Sequence, residues 1–380
     1  MPSVHKATDA RLGRIVRLLM DHAMVVASGT KIGQEIGTSR SEVWRLIQQL
    51  RGLGVDVAGH PATGYRLRAI PDLLLPEMLA PSLKGTIFSG GGRRGPQGLK
   101  PASFQGGDGT AEAVPCPKPG GDMRYPKPSH EAGTKYIHHY YKIGSTNSEA
   151  MRSAAEGAPE GSVFLAEEQL AGRGRGANTW QSARSAGIYG SVILRPAMPP
   201  SEALIFSLAA GLAVHAAVLS IAPELHPDLK WPNDVLLGGK KFCGILTEMT
   251  AEATRVRHLV VGVGINVNQT KFPAELREIA TSLKIETGTE WSRVELCAAL
   301  LKSLDREYRS LVKDPAAWAS ILWRFEESSS SARGSKVRIE ENGGIQGVTE
   351  GLDARGFLQV RTAEGLQTVL SGTVKLIGNL

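Results

Sequence analysis

Cysteine is scarce in this chain of 380 residues: Cys116, Cys243 and Cys297 are odd in number, far apart, and free of any CxxC pair or histidine cluster. Such spacing excludes a disulfide framework and offers no zinc site, so reduced thiols without a metal role are expected. Long apolar runs are missing as well. No stretch reaches the roughly 18 apolar residues of a membrane span, and "MPSVHKATDARLGR" lacks the basic-then-apolar order of a secretory signal. A cytoplasmic protein with no membrane partner is expected. Acidic charge is also unevenly short. Residues 1–70 hold ten Lys/Arg against five Asp/Glu and residues 85–134 hold six against four, which accounts for the whole net charge of +7. A basic N-terminal module beside a near-neutral body is the asymmetry expected when only the first part meets nucleic acid. The length is too great for one ordinary core, so two or three domains are expected.

In the first 70 residues, Leu12, Ile15, Val16 and Leu19 recur at helical spacing, and "SGTKIGQEIG" reads as a second short helix. A third follows in "SRSEVWRLIQQLRGLG". There Ser39 and Glu42 form a capping-box pattern, Val43, Leu46, Ile47 and Leu50 line one face, and Ser41, Arg45 and Gln48 line the other. Gly37 allows a tight turn between the last two helices, and "VDVAGHPATGYRLR" reads as a two-stranded wing. A winged helix-turn-helix with Arg40, Ser41, Arg45 and Gln48 facing DNA is therefore favoured over a protein-contact bundle with a solvated basic face.

Residues 71–84 read as a linker, and residues 85–134, with twelve glycines and seven prolines, read as a disordered insertion. From 135 to 328, strands and helices alternate without the rhythm of a doubly wound sheet, which predicts an α+β body with a mixed sheet. From about 329 to the last residue, short alternating strands with Gly-bearing turns predict a small β-barrel docked on that body.

Three stretches carry chemistry. "AGRGRGANTW" (171–180) satisfies a dinucleotide fingerprint, but "NTWQSARSAG" lacks the apolar period of the helix that must follow, and no Gly-Lys-Ser/Thr makes it a Walker loop. The remaining readings are a solvated loop, or a flexible one whose glycines admit a ligand while Arg173 and Arg175 bring guanidinium forks to phosphate. In "KWPNDVLLGGKKFCGIL", Pro232 fixes the backbone before Asn233 and Asp234, and Lys241 sits on the returning strand of a hairpin turning at Gly238 and Gly239. In "GSTNSEA", Ser145, Thr146 and Asn147 stand at a strand-to-helix junction, either as an ordinary cap or as readers of a small polar ring such as a ureido group.

Taken together, "GSTN" at 144–147, "EEQLAGRGR" at 167–175 with Trp180, "KWPNDVLLGGKKFCGIL" at 230–246 and "GVGINVN" at 262–268 resemble the biotin protein ligases of the bifunctional kind that also repress biotin synthesis genes. The resemblance spans roughly 5–84 and 135–380. It implies a class II synthetase-like catalytic domain and an SH3-like C-terminal barrel. It also implies that Ser145, Thr146, Asn147, Gln169, Arg173, Gly174, Arg175 and Lys241 hold biotin, and that Arg173, Arg175, Lys230, Asn233, Lys241 and Asn266 hold ATP. Arg173, Arg175, Lys241 and Asp234 would be catalytic. The implied substrates are ATP and biotin with Mg²⁺, and no protein metal site. The implied partners are the biotin carboxyl carrier protein of acetyl-CoA carboxylase, operator DNA, and a second copy of the chain in the adenylate-bound state. A DNA-binding sensor of biotin with little turnover, and a lipoate ligase-like enzyme, are the alternatives. Two departures from the family stand out: "GANT" (176–179) replaces the usual further basic residue before Trp180, and the Gly/Pro-rich insertion falls between the DNA-binding and catalytic parts.

Overall fold

The computed structural model describes residues 3–21, 26–69, 71–89, 136–314, 316–340 and 344–377. The first three helices are α1 (Ser3–Asp21), α2 (Gly29–Ile36) and α3 (Arg40–Gly52). Ser28 caps α2 by accepting from Lys31 N at 3.1 Å, and Gly37 ends it in the left-handed region at φ +70°. The turn into α3 is so close that a Cβ on Gly33 would lie 2.7 Å from the Thr38 carbonyl oxygen. Ser39 then accepts from Glu42 N at 3.2 Å, as the capping pattern predicts. Val43, Leu46, Ile47 and Leu50 are fully buried against Leu12, Ile15, Val16 and Leu19. Strands β1 (Val57–His60) and β2 (Gly64–Leu67) pair antiparallel as the wing, and Arg51 pins it through the carbonyls of Val57 and Gly59.

The 71–84 stretch joins the two domains as a folded, packed connection and not as a loose tether. Helix α4 (Pro76–Leu79) and two 3-10 turns carry Leu79, Leu83 and Phe88 into the main core, which Leu74 joins from the extended stretch before α4, while Leu73 and Leu75 pack into the winged-helix core. Alternate leucines serve two cores at once, which a tether reading overlooks. The first five residues of the expected insertion are folded too, with Ile87 N donating to Asp305 Oδ1 at 2.8 Å. The low-complexity composition begins only at Gly90, and residues 90–134 lie outside the described residues.

The central domain is a seven-stranded mixed sheet in the order β3-β4-β5-β9-β8-β7-β6. Its strands are β3 (Ile137–Tyr140), β4 (Val163–Ala166), β5 (Gly187–Leu194), β6 (Asp228–Lys230), β7 (Asp234–Leu237), β8 (Lys240–Ala251) and β9 (Val256–Asn266). Only β3 and β4 pair in parallel. Strand alternation splits the apolar residues between two faces. Phe164, Ala166, Ile193 and Val260 pack on α5 (Thr146–Ala155), whereas Val163, Leu165, Val192 and Val261 join the core under α6 (Leu204–Ile221) and α8 (Arg293–Lys313). By length and apolarity α6 passes as a membrane span. Its buried residues run around the whole circumference, as befits a helix packed between the sheet, α8 and α9 (Ala317–Glu327).

The C-terminal domain is one five-stranded antiparallel sheet, in the order β13-β12-β11-β10-β14: β10 (Arg333–Ile339), β11 (Ile345–Leu352), β12 (Leu358–Thr362), β13 (Gly365–Val369) and β14 (Val374–Leu376). Its apolar residues Val337, Ile339, Leu358, Val360, Val369 and Val374 are continuous with the central core, which offsets the small size of the module. At the seam, the buried Trp231 indole donates to the Gly356 carbonyl at 2.9 Å, and Arg333 pairs with Glu326 at 2.7 Å.

Candidate active site

One cavity of about 560 Å³ opens on the α5 face of the sheet. All twelve residues expected to bind biotin or ATP or to act in catalysis line it: Ser145, Thr146, Asn147, Gln169, Arg173, Gly174, Arg175, Lys230, Asn233, Asp234, Lys241 and Asn266. They arrive from five separate pieces of chain, so the shared lining is a property of the fold.

The floor is made of glycine. Gly244 and Gly264 face each other across β8 and β9, and the ring of Trp180 rests where their side chains would be, with a Cβ on Gly264 falling 2.5 Å from Trp180 Cε2. Beside them a Cβ on Gly262 would collide with Asn147 Oδ1 at 2.0 Å. Bare strands thus leave room for a flat ligand and let polar side chains approach the sheet. Trp180, to which the sequence assigns no ligand, completes the floor of the cavity, and its indole Nε1 is buried with no partner in the structure. The alternate glycines of "GVGIN" and "CGIL" are the sequence signal for this surface.

The polar wall is built at the start of α5. Ser145 caps the helix, accepting from Ser148 N at 3.4 Å. Gln169 Oε1 accepts from Thr146 N at 2.8 Å and its amide donates to Ser182 at 3.1 Å. The Ser191 hydroxyl lies 2.9 Å from Thr146 Oγ1 and 2.6 Å from Asn147 Oδ1. Ser191 was not foreseen; it lies mid-strand on β5 and only the register brings it under α5.

The glycine loop is a miniature hairpin. Arg173 pairs with Thr179, Trp180 N donates to Gly172 O at 2.9 Å, and Gly176 turns the chain at φ +65°. The "GANT" departure therefore forms the tip of a closed turn. Arg173 is bound by Glu248 on β8, and Arg175 donates to the Gly372 carbonyl of the C-terminal domain at 2.7 Å. Thr373 and Lys375 of that domain also line the cavity, a contribution invisible from sequence because nearly two hundred residues separate it from the loop.

Lys241 Nζ lies 2.6 Å from Asp234 Oδ1 and 5.6 Å from the centroid of the Trp180 ring. Asn233 is spent on the backbone: its amide donates to Ile245 O at 2.9 Å. Asn266 is similarly held, donating to Thr281 O at 3.0 Å and accepting from Gln269 at 3.1 Å. Burial pulls the Lys230 ammonium below its ordinary range; Lys241 and Lys375 act in the same direction, against Asp234 and Asp228. Arg173, Arg175, Lys230, Lys241 and Lys375 outnumber the lining carboxylates Asp234 and Glu278, so the cavity favours an anionic ligand. Among the described residues no group of three or more His, Cys, Asp or Glu is assembled for a metal ion.

Behind the site lies a buried ion network. Glu167 is fully buried, bound by Arg293 at 2.7 Å, His139 at 3.0 Å and Leu74 N at 2.9 Å, and Arg293 also binds Asp72 at 3.1 Å. Burial by itself raises the Glu167 carboxyl, but Arg293, His139 and the Leu74 amide outweigh it and hold it at about 2.

Of the expected DNA-facing side chains, Ser41 and Arg45 are exposed and Gln48 is half-buried on α3. Arg45 is engaged by Glu42 at 2.6 Å, and Arg40 reaches across to the wing, donating to Pro61 O at 2.6 Å.

Residues 142–266 match the biotin/lipoate A/B protein ligase family, residues 334–376 the biotin protein ligase C-terminal domain, and residues 11–66 an HTH domain. The bifunctional ligase/repressor BirA of Bacillus spizizenii is 31% identical over 365 residues, covering 95% of this chain and 97% of the relative. The biotin--[acetyl-CoA-carboxylase] ligase of Mycobacterium tuberculosis is 35% identical over 247 residues, 61% of this chain and 86% of that protein. Among solved structures, the biotin protein ligase of Aquifex aeolicus in complex with biotin and ATP superposes with a TM-score of 0.56 at 31% identity, covering 64% of this chain and all of that one. Domain for domain, from the helix-turn-helix through the ligase body to the C-terminal sheet, the chain belongs to the bifunctional biotin ligase/repressor family.

Proposed function

We propose that the chain is an ATP-dependent biotin protein ligase that joins biotin to a lysine of a biotin carboxyl carrier domain and, through its winged helix, represses transcription in response to the intermediate. The observation that carries the reading is one cavity that unites a short polar wall at Ser145, Thr146, Asn147 and Gln169, a flat glycine and tryptophan floor, and cations around Asp234. The wall suits a ureido ring, which offers donors and an acceptor on one edge. The cations suit a carboxylate meeting a triphosphate.

In the first step a biotin carboxylate oxygen bonds to the α-phosphorus of ATP, the α–β bridging P–O bond breaks, and pyrophosphate leaves. No protein base is needed. Arg173, Arg175 and Lys241 neutralise charge on the carboxylate and α-phosphate, and Lys230 serves the polyphosphate. A magnesium ion carried in on ATP would supply further neutralisation of phosphate charge; Asp234 and Glu278 are the lining carboxylates that would face it, and among the described residues no all-protein cage is assembled for it. In the second step the neutral amine of the carrier lysine attacks the acyl carbon, AMP departs and the amine loses a proton. Asp234, whose carboxylate pairs with Lys241 at 2.6 Å, would direct that amine and take up its proton. Asp234→Asn is expected to slow transfer from preformed biotinyl-AMP by at least about 10-fold; an unchanged single-turnover rate would remove Asp234 from this role. Incorporation of labelled biotin into a carrier domain, dependent on ATP and abolished by substitution of the acceptor lysine, tests the ligase reading as a whole.

Repression rests on the winged helix, with Arg40, Ser41, Arg45 and Gln48 as the DNA-facing set and a homodimer as the adenylate-bound form. Arg45→Ala is expected to weaken operator binding by about 10-fold and lower its salt dependence by about one phosphate contact, measured by fluorescence anisotropy, while biotinylation stays at the unsubstituted rate. Joint loss of both activities would contradict separate roles. A cytoplasmic location belongs to the same reading, since ATP, operator DNA and the carrier protein must all be within reach.

A further inference from the structure

On β8, side chains alternate in direction, so Gly244, Leu246 and Glu248 point to the same face of the sheet. Gly244 and Leu246 line the cavity, whereas Glu248 stands just outside the lining, with its side chain only 22% exposed. Its carboxylate nevertheless joins three elements. Oε1 lies 2.7 Å from Arg173 Nη2, Oε2 accepts from Arg173 Nη1 at 3.0 Å, and Oε2 also accepts from Asn147 Nδ2 at 3.0 Å. The fork on Arg173 is bidentate, the geometry that fixes a guanidinium in orientation as well as position. Its anchor is rigid: Glu248 sits opposite Val260 in the central strand pair of the sheet.

The two residues it binds differ in how much they need it. Asn147 also donates to Leu246 O at 3.2 Å and accepts from Ser191 at 2.6 Å, so its side chain stays aimed without Glu248. Arg173 projects from the glycine-rich hairpin, is 47% exposed, and has Glu248 as its carboxylate partner. A long side chain on such a loop otherwise samples many rotamers.

We propose that Glu248 is a positioning residue of the adenylation site: it holds the Arg173 guanidinium in one orientation, leaving its remaining N–H donors directed at the ligand anion, at a fixed separation from the polar wall at Asn147. The assignment rests on the ligase reading above. It makes Glu248 act through Arg173, without contact to substrate.

A double-mutant cycle on the full-length chain tests it, with biotin-dependent exchange of labelled pyrophosphate into ATP as the readout. Glu248→Gln keeps size but loses the second acceptor oxygen and the charge. In the unsubstituted background it is expected to lower kcat by about 10-fold or more while KM for biotin moves less than about threefold; in an Arg173→Ala background it is expected to change kcat by less than about twofold. Glu248→Asp, which keeps the fork on a shorter stem, is expected to recover part of the loss and guards against a folding artefact in the Gln variant. Equal losses in both backgrounds, a rise in KM for biotin with kcat intact, or no change in either background would overturn the proposal, the second result marking Glu248 as a support of the Asn147 wall. Absence of exchange in the unsubstituted chain would be a separate failure, that of the ligase reading itself.

Discussion

Replacing Lys241 by methionine is expected to lower biotin-dependent pyrophosphate exchange by about 10²-fold or more, the size of effect seen when one preorganised charge donor is removed from a developing anion. Lys241 is fixed on three sides: the β7 to β8 hairpin sets its backbone, Asp234 holds its ammonium at 2.6 Å, and Trp180 lies beneath at 5.6 Å. Its backbone is clamped again by the segment that follows β9, since Lys241 N donates to Ile279 O at 2.8 Å and Lys241 O accepts from Thr281 N at 3.0 Å. Methionine keeps the stem over the indole and removes the ammonium together with its pair to the part-exposed Asp234, so the fold is expected to survive. Lys241→Arg is expected to rescue little, because a planar fork does not replace a compact ammonium held between a carboxylate and a ring. Exchange kinetics at saturating ATP check both variants; retention of more than a tenth of the unsubstituted kcat by Lys241→Met would contradict the role.

The largest effect on stability is expected from Arg293→Met. Glu167, fully buried, would lose its strongest opposing charge, and breaking a buried pair from one side costs roughly 3–5 kcal/mol. Urea unfolding at neutral pH measures the loss. The sign of the pH dependence follows from the same network. The Glu167 carboxyl is lowered from 4.5 to about 2 in the folded chain, so its contribution is full above about 4.5 and is lost as pH falls toward 2. Arg293→Met removes the main cause of that lowering, so the variant is expected to show a shallower loss of stability between pH 4.5 and 2. An acid limb as steep as in the unsubstituted chain would place the pH dependence elsewhere. Asp72 and Leu74 lie in the segment that joins the winged helix to the catalytic core, so this network also bears on how firmly the two domains are held together.

What sequence made legible was whatever a few neighbouring residues determine. The capped, one-sided helix at 40–52 could be read because Ser39, Gly37 and the apolar spacing of Val43, Leu46, Ile47 and Leu50 are local. Among the twelve cavity residues, Arg173, Arg175, Asp234 and Lys241 stand in short motifs whose local chemistry is unusual for a loop or a hairpin, whereas Gln169, Lys230 and Asn266 are reached only through the resemblance to the ligase family. Residues that act through register were not. Ser191 and Glu248 look like ordinary strand positions until β5, β9 and β8 are aligned. Trp180 and Trp231 look alike in sequence, yet one forms the cavity floor and the other bolts the C-terminal domain to the core. The segment 71–84 was misread because three consecutive leucines shared between two cores show neither helical nor strand periodicity.

The most direct test of the central claim is biotin-dependent exchange of labelled pyrophosphate into ATP by the full-length chain, with lipoate as the matched control. Exchange with biotin and none with lipoate is expected, which would identify the carboxylate drawn to Arg173, Arg175 and Lys241 as that of biotin. Exchange with lipoate alone, or tight biotin binding with no exchange, would contradict it.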